Sequence, residues 1–73
     1  MRVLVTGSSA HLAAALLPQL CGHPAVNEVI GIDRKASGFS HPRFREHLLD
    51  VRSPDLAELM QGVDVVIHLA FVV

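Results

Sequence analysis

Tyrosine and tryptophan are absent from this chain of 73 residues. Chemistry that needs a phenol to give or take a proton has no residue to perform it here. Cysteine is nearly absent as well. A lone Cys21 closes no internal disulfide, which excludes a disulfide-stapled secreted scaffold. It is also a thin start for a zinc centre, because Cys21 with His23 and His41 with His47 lack finger-like spacing. No charge sign dominates: six Lys and Arg against seven Asp and Glu leave a net charge of −1. The basic residues, scattered from Arg2 to Arg52, form no footprint for nucleic acid or an anionic membrane. Long apolar runs are missing too. The longest, Leu12 to Leu17, falls far below the roughly 20 residues of a spanning helix. Arg2, the apolar residues after it and Cys21 outline a lipoprotein signal. However, Gln19 and Leu20 stand where small residues belong, and Thr6-Gly7-Ser8-Ser9 interrupts the stretch. The expected location is the cytoplasm.

The chain is nevertheless rich in core-forming residues: 51% are apolar and 18% charged, too apolar for a disordered tail. Its length is short of the roughly 100–200 residues of one ordinary domain. A chain near this size buries only about 60% of its unfolded surface.

Met1 to Thr6 is a β-branched run without polar alternation, which suits a strand covered on both faces. Gly7-Ser8-Ser9 breaks it, and either serine can cap a following helix. From Ala10 to Cys21, Leu12, Leu16 and Leu20 recur at helical spacing, with Ala13 and Leu17 alongside, and predict one buried face. Pro18 should bend the last turn, and Gly22 and Pro24 should stop it. Glu28 to Asp33 is a second strand, Arg34 to Pro42 a loop, and Phe44 to Leu49 a third, weaker strand. Ser53 is placed to cap a second helix, with Pro54 at its first position, Asp55 in its first turn and Gly62 past its end. Asp64 to Ala70 is a fourth strand, and Phe71-Val72-Val73 trails from it.

Strands alternating with helices imply right-handed crossovers and a parallel sheet. The predicted fold is a Rossmann-type doubly wound α/β sheet of about four strands in the order 3-2-1-4, with two helices on opposite faces. Four strands about 4.8 Å apart outspan one helix about 10 Å wide, so much of each face stays bare. Residues 1–73 therefore read as a fragment of a longer protein, or as a subunit that depends on a partner, rather than as a complete free-standing domain.

In such a sheet the chemistry collects at the carboxyl ends of the strands. Small residues at Gly7, Ala10 and Ala13 follow the first strand. They allow a tight turn, close approach of a pyrophosphate and close helix packing. The turn residues Ser9, Ala10, His11 and Leu12 then offer the helix N-terminus, with its free N–H groups, to phosphate. Asp33 ends the second strand roughly 20 residues past the turn, where a carboxylate accepts from ribose hydroxyls. Arg34 follows it. Asp50-Val51, after the third strand, is positioned to meet an adenine edge. His68-Leu69-Ala70 closes the fourth. A histidine there can act as acid or base, although one in an apolar run is more often a hydrogen-bonded core residue. Taken singly, each feature also reads as ordinary strand-end or turn chemistry; their joint occurrence points to a dinucleotide.

Together these segments resemble the N-terminal part of the extended short-chain dehydrogenase/reductases, the NAD-dependent epimerase/dehydratase family. That family opens with a strand and T-G-x-x-G-x-x-G. Thr6-Gly7-Ser8-Ser9-Ala10-His11-Leu12-Ala13 matches it, with alanine for the second and third glycines. The resemblance implies Asp33 on the adenosine ribose, Asp50 and Val51 on adenine, and Val66-Ile67-His68-Leu69-Ala70 as the H-x-A-A stretch beside the nicotinamide-side ribose. Phe71 replaces the last alanine of that stretch. Ala10 puts a methyl where the pyrophosphate comes closest. The implied cofactor is NAD, with NADP disfavoured by the Asp33 carboxylate. The family's catalytic Ser or Thr with Tyr-x-x-x-Lys has no counterpart, since tyrosine is absent and the only lysine, Lys35, lies in the loop after the second strand. No catalytic residue and no metal ligand is assigned.

Two other readings stay open. A dinucleotide-binding sensor that turns nothing over differs from an enzyme by lacking Tyr-x-x-x-Lys in the longer gene. A Rossmann-type methyltransferase would want a denser glycine turn and would prefer S-adenosylmethionine to NAD. A nucleophile elbow fails because it needs glycine where His11 stands, and a P-loop fails for want of G-K-S/T. An apolar fourth strand without a further neighbour invites pairing between chains.

Overall fold

The computed structural model describes residues 1–70; the trailing Phe71-Val72-Val73 lies outside them. The elements run β1 (Arg2–Thr6), α1 (His11–Gly22), β2 (Glu28–Asp33), β3 (Phe44–Leu48), α2 (Leu56–Leu59) and β4 (Val65–His68). All strand pairs are parallel, and the sheet order is β3-β2-β1-β4. This is the predicted Rossmann-type order. A parallel sheet with right-handed crossovers sends the first connection over one face and the next over the other.

Alternation along the strands divides the core in two. Val3, Val5 and Val29 face α1, where Ala13, Leu17 and Cys21 are buried against them. Leu4, Ile30 and Ile32 face the other way, packed against Leu56, Leu59 and Val63 around α2. The buried stripe of α1 is thus Ala13-Leu17-Cys21. Of the predicted face, Ala13 and Leu17 are fully buried, Leu16 and Leu20 lie at its margin, and Leu12, 63% exposed, falls outside it. Ala13, with no exposed surface, packs in the cluster with Val3, Val5 and Val29, and Leu20 packs at its border.

The end of α1 also departs from expectation. The helix runs through Pro18 as predicted but takes in Gly22 as its last residue, and its C-cap is His23 in an extended conformation (φ −78°, ψ 128°). Pro24 accounts for this, because a residue before proline is driven out of the helical region. The second helix shortens to one turn. Its N-cap is Asp55, with no side-chain cap. The Ser53 hydroxyl accepts from the Asp55 amide at 3.2 Å, while Leu56 N–H donates to the Ser53 carbonyl three residues back. Ser53 and Pro54 therefore organise a tight 3₁₀-like turn ahead of α2 rather than its first α-turn. Gly62, at φ +76°, ends the segment as expected. β3 stops at Leu48 and β4 at His68, each shorter than the strand predicted for it.

One helix per face leaves surface bare. Beyond α1, Met1, Val3, Leu20, Val26, Val65 and Ile67 outline an apolar groove of about 230 Å³, and Val65 and Val66 are 39% and 45% exposed on the edge strand. No helix among the described residues is long and apolar enough to cross a membrane.

Candidate functional site

Four parallel strands end on one rim, and a cavity of about 680 Å³ opens there. The turn after β1 forms its floor. Gly7 has φ +77°, and a Cβ there would stand 2.8 Å from both the Leu69 carbonyl carbon and the Ala70 nitrogen. Only glycine allows the turn to close so tightly on the end of β4. Gly7 and Ser8 N–H groups both donate to the Ile32 carbonyl, at 2.7 and 3.2 Å, which fastens the turn to β2.

Neither serine caps α1, contrary to expectation. The Ser8 hydroxyl donates to Glu46 Oε2 at 2.7 Å. Ser9 turns to Asp33, whose Oδ2 accepts from its amide at 2.9 Å and its hydroxyl at 2.6 Å. Each hydroxyl donates to a carboxylate, a charge-assisted bond that fixes its side chain at the strand ends, away from the helix amides from which a capping oxygen would accept. The N-cap is Ala10, which offers no side-chain bond. The amides of His11 and Leu12 donate to no group among the described residues, and a twelve-residue helix dipole stands behind them.

Asp33 and Asp50 each accept four hydrogen bonds. Besides the Ser9 bonds, Asp33 Oδ1 accepts from Arg34 N–H at 2.7 Å and Lys35 N–H at 3.4 Å. Burial pushes its pKa up, but these hydrogen bonds, led by the Ser9 hydroxyl, outweigh it and hold the carboxyl below its ordinary value. Asp50 lies opposite. Arg52 donates to it from its amide at 2.8 Å and from its guanidinium at 3.0 and 2.8 Å, and Arg34 reaches it at 3.4 Å. The Arg52 hydrogen bonds, with the Arg52 and Arg34 charges, hold the Asp50 carboxyl far below the usual range.

Ten of the eleven sequence-predicted residues line this one cavity: Gly7, Ser9 and Ala10 from the turn and His11 at the start of α1, Asp33 at the end of β2 and Arg34 after it, Asp50 and Val51 after β3, and Leu69 and Ala70 after β4. Leu12 does not. Its side chain faces solvent, so its amide is what it can bring to the rim. Sequence reading missed Ile32, Leu49, Lys35 and Arg52 as lining residues. Ile32 and Leu49 each precede a predicted acidic residue at a strand end, a local signal that could have found them. Arg52 carries no such signal, because its place depends on its ion pair with Asp50. His68 lies off the cavity, with Nδ1 2.6 Å from the Thr6 hydroxyl, a bond that serves the packing of β4 on β1. Among the described residues no cluster of His, Cys, Asp or Glu could hold a metal ion.

Residues 3–73 match the NAD dependent epimerase/dehydratase family. The chain belongs to that family. Among solved structures, it is similar to UDP-glucuronic acid 4-epimerase from Bacillus cereus in complex with NAD, with 29% identity and a TM-score of 0.83 over 100% of this chain. The same enzyme in complex with UDP-glucuronic acid and NAD gives 31% identity and 0.82 over 96% of this chain. An oxidoreductase from Lactococcus lactis, 19% identical over 99% of this chain and 33% of its own, shares the fold with a TM-score of 0.80. No curated protein matches. This epimerase/dehydratase-family chain spans 28% and 26% of the two Bacillus cereus chains.

Proposed function

We propose that the chain is the nucleotide-binding portion of an NAD-dependent epimerase, dehydratase or related oxidoreductase, and that its cavity holds the adenosine and pyrophosphate end of NAD. One observation carries this reading. A single cavity unites a glycine turn closed on β4, unspent helix N-terminal amides and an ionised carboxylate at the end of β2. Its volume, about 680 Å³, lies within the roughly 300–1,000 Å³ of ligand pockets.

In this reading the amides of His11 and Leu12, with the positive end of α1, take the pyrophosphate. Asp33 takes the adenosine ribose diol, Asp50 and Val51 border adenine, and Leu69 and Ala70 border the ribose on the nicotinamide side. Asp33 already accepts four donors, about as many as a carboxylate has lone-pair sites. Gripping a diol therefore means exchanging some of them: the long Lys35 bond gives way first, and rotation of the Ser9 hydroxyl frees Oδ2. NAD, when bound, supplies the hydride chemistry; this chain's residues bind and orient it.

The two Bacillus cereus neighbours are nucleotide-sugar epimerases, which supports an enzyme of that class over a sensor for the whole protein. We place its proton-exchanging residues outside these 73, and read residues 1–73 as the N-terminal part of its nucleotide-binding domain. An intracellular cofactor supports a cytoplasmic location, with neither nucleic acid nor membrane as a partner. Calorimetric titration of NAD tests the reading. We expect saturable binding by the chain and at least a tenfold loss in Gly7→Ala, whose Cβ meets the backbone of Leu69 and Ala70, provided melting shows the variant folded. A chain that binds S-adenosylmethionine and ignores NAD would overturn it.

A further inference from the structure

Glu46 stands outside the cavity, and neither the motif nor the family resemblance assigns it a role. It lies on β3 opposite Gly31 of β2, on the sheet face that carries α1. Gly31 leaves a gap in that face. A Cβ there would come within 2.8 Å of Ser8 Cβ and 2.7 Å of the Phe44 ring. The turn after β1 settles into this gap, with Ser8 1% exposed, and the Glu46 carboxylate meets it there.

Each carboxylate oxygen of Glu46 holds a different loop. Oε2 accepts from the Ser8 hydroxyl at 2.7 Å, and Oε1 accepts from the Ser37 amide at 3.0 Å. Among the described residues no cation lies within ion-pair distance of it. The half-buried charge is thus satisfied by these two neutral donors. Ser8 belongs to the glycine turn, next to Gly7 and Ser9. Ser37 belongs to the loop that begins with Arg34 and Lys35. Both loops line the cavity, and they adjoin at Asp33.

We propose that Glu46 is a positioning residue that ties the glycine turn to the loop after β2, and so sets the distance between the helix N-terminal amides and the Asp33 carboxylate. Its effect on NAD rests on the proposed function above; its effect on the two loops does not. A hydrogen bond to a charged group is worth roughly a factor of ten or more in an equilibrium, so loss of both ties is large on that scale.

Two readouts on the 73-residue chain test this. The first is amide hydrogen exchange without ligand. In Glu46→Ala the amides of Ser9, Ala10 and Ser37 should exchange roughly tenfold faster, while those of Leu4 and Ile30 in the sheet centre keep their protection. Glu46→Gln retains one acceptor oxygen but turns an NH₂ toward the other donor, so it should restore one tie and fall between. Ser8→Ala should raise exchange at Ser9 and Ala10 without affecting Ser37, and should add little to Glu46→Ala. The second readout is NAD affinity, expected to fall in the same order of variants. Loop amides unchanged in Glu46→Ala, or amides faster everywhere alike, would overturn the proposal. Loop amides that respond in a chain that binds no NAD would uphold the tie and overturn the cofactor reading instead.

Discussion

The Asp33 carboxylate accepts from Ser9, Arg34 and Lys35, and under the proposed function these bonds bear on the choice between cofactors. Its hydrogen bonds keep it ionised, so a 2′-phosphate would bring like charges together and lose the bonds to the ribose hydroxyls. Arg34 is poorly placed to compensate, since its guanidinium leans toward Asp50. We expect the chain to prefer NAD to NADP in calorimetric titration, and Asp33→Ser to narrow or reverse the preference. Equal affinities in both proteins would remove Asp33 from the site. The same lowered pKa predicts that NAD affinity stays flat from pH 8 to pH 5. It should fall only below the ordinary aspartate value of 3.8, where the carboxylate gains its proton. A decline near neutral pH would show that another group governs binding.

Within α1, Pro18 interrupts the hydrogen-bond ladder at an exposed position. An interior proline costs about 3 kcal/mol relative to alanine, offset in part by the stiffness it gives the unfolded chain. Pro18→Ala should therefore stabilise the chain by about 1–2 kcal/mol, read from denaturant melts. An unchanged or lower midpoint would mean that the surrounding turn is adapted to the ring. On the opposite face, α2 has a single turn and depends on Leu56, Leu59 and Val63 packing on β1 and β2. Its amides should exchange faster than those of α1, because a nucleus of one turn is unfavourable without tertiary contacts.

Across the whole molecule, three carboxyls share one direction of shift. Glu28 is held below its ordinary value mainly by the Arg2 hydrogen bond, then by Arg45 against the opposing effect of burial; Asp33 and Asp50 are lowered likewise. Their folded-state pKa values lie below the unfolded ones, so the stability they contribute is present above about pH 4–5 and is lost as pH falls through the folded values. Melts at pH 7, 5 and 3 should be alike in the first two and destabilised in the third; equal midpoints throughout would contradict the lowered values. The outer edge of β4 pairs with no strand among the described residues, beside an apolar groove. Such an edge invites pairing, so sedimentation should show association that grows with concentration. A cooperatively melting monomer at high concentration would contradict that. With no tyrosine in the chain, we expect no turnover of nucleotide sugars or alcohols in the presence of NAD.

By itself the sequence determined the alternation of strands and helices, the strand order, and the rim on which Gly7, Asp33, Asp50 and Ala70 gather. These follow from local signals: apolar runs of strand length, a glycine where φ must be positive, and a crossover hand common to all parallel sheets. The tertiary structure alone decided which stripe of α1 is buried, how short α2 becomes, and where the two serines of the turn send their hydroxyls. Leucine spacing marks the face of α1 that holds Ala13 and Leu17, but packing against the sheet centres burial on Ala13, Leu17 and Cys21 and leaves Leu12 in solvent. Cap chemistry assigns Ser8 and Ser9 to the helix, yet Glu46 and Asp33, 38 and 24 residues away, take them instead. Local cap chemistry would have the serine oxygens accept from helix amides; the charge-assisted bonds they donate instead fix the side chains elsewhere, and only folding brings those carboxylates within reach.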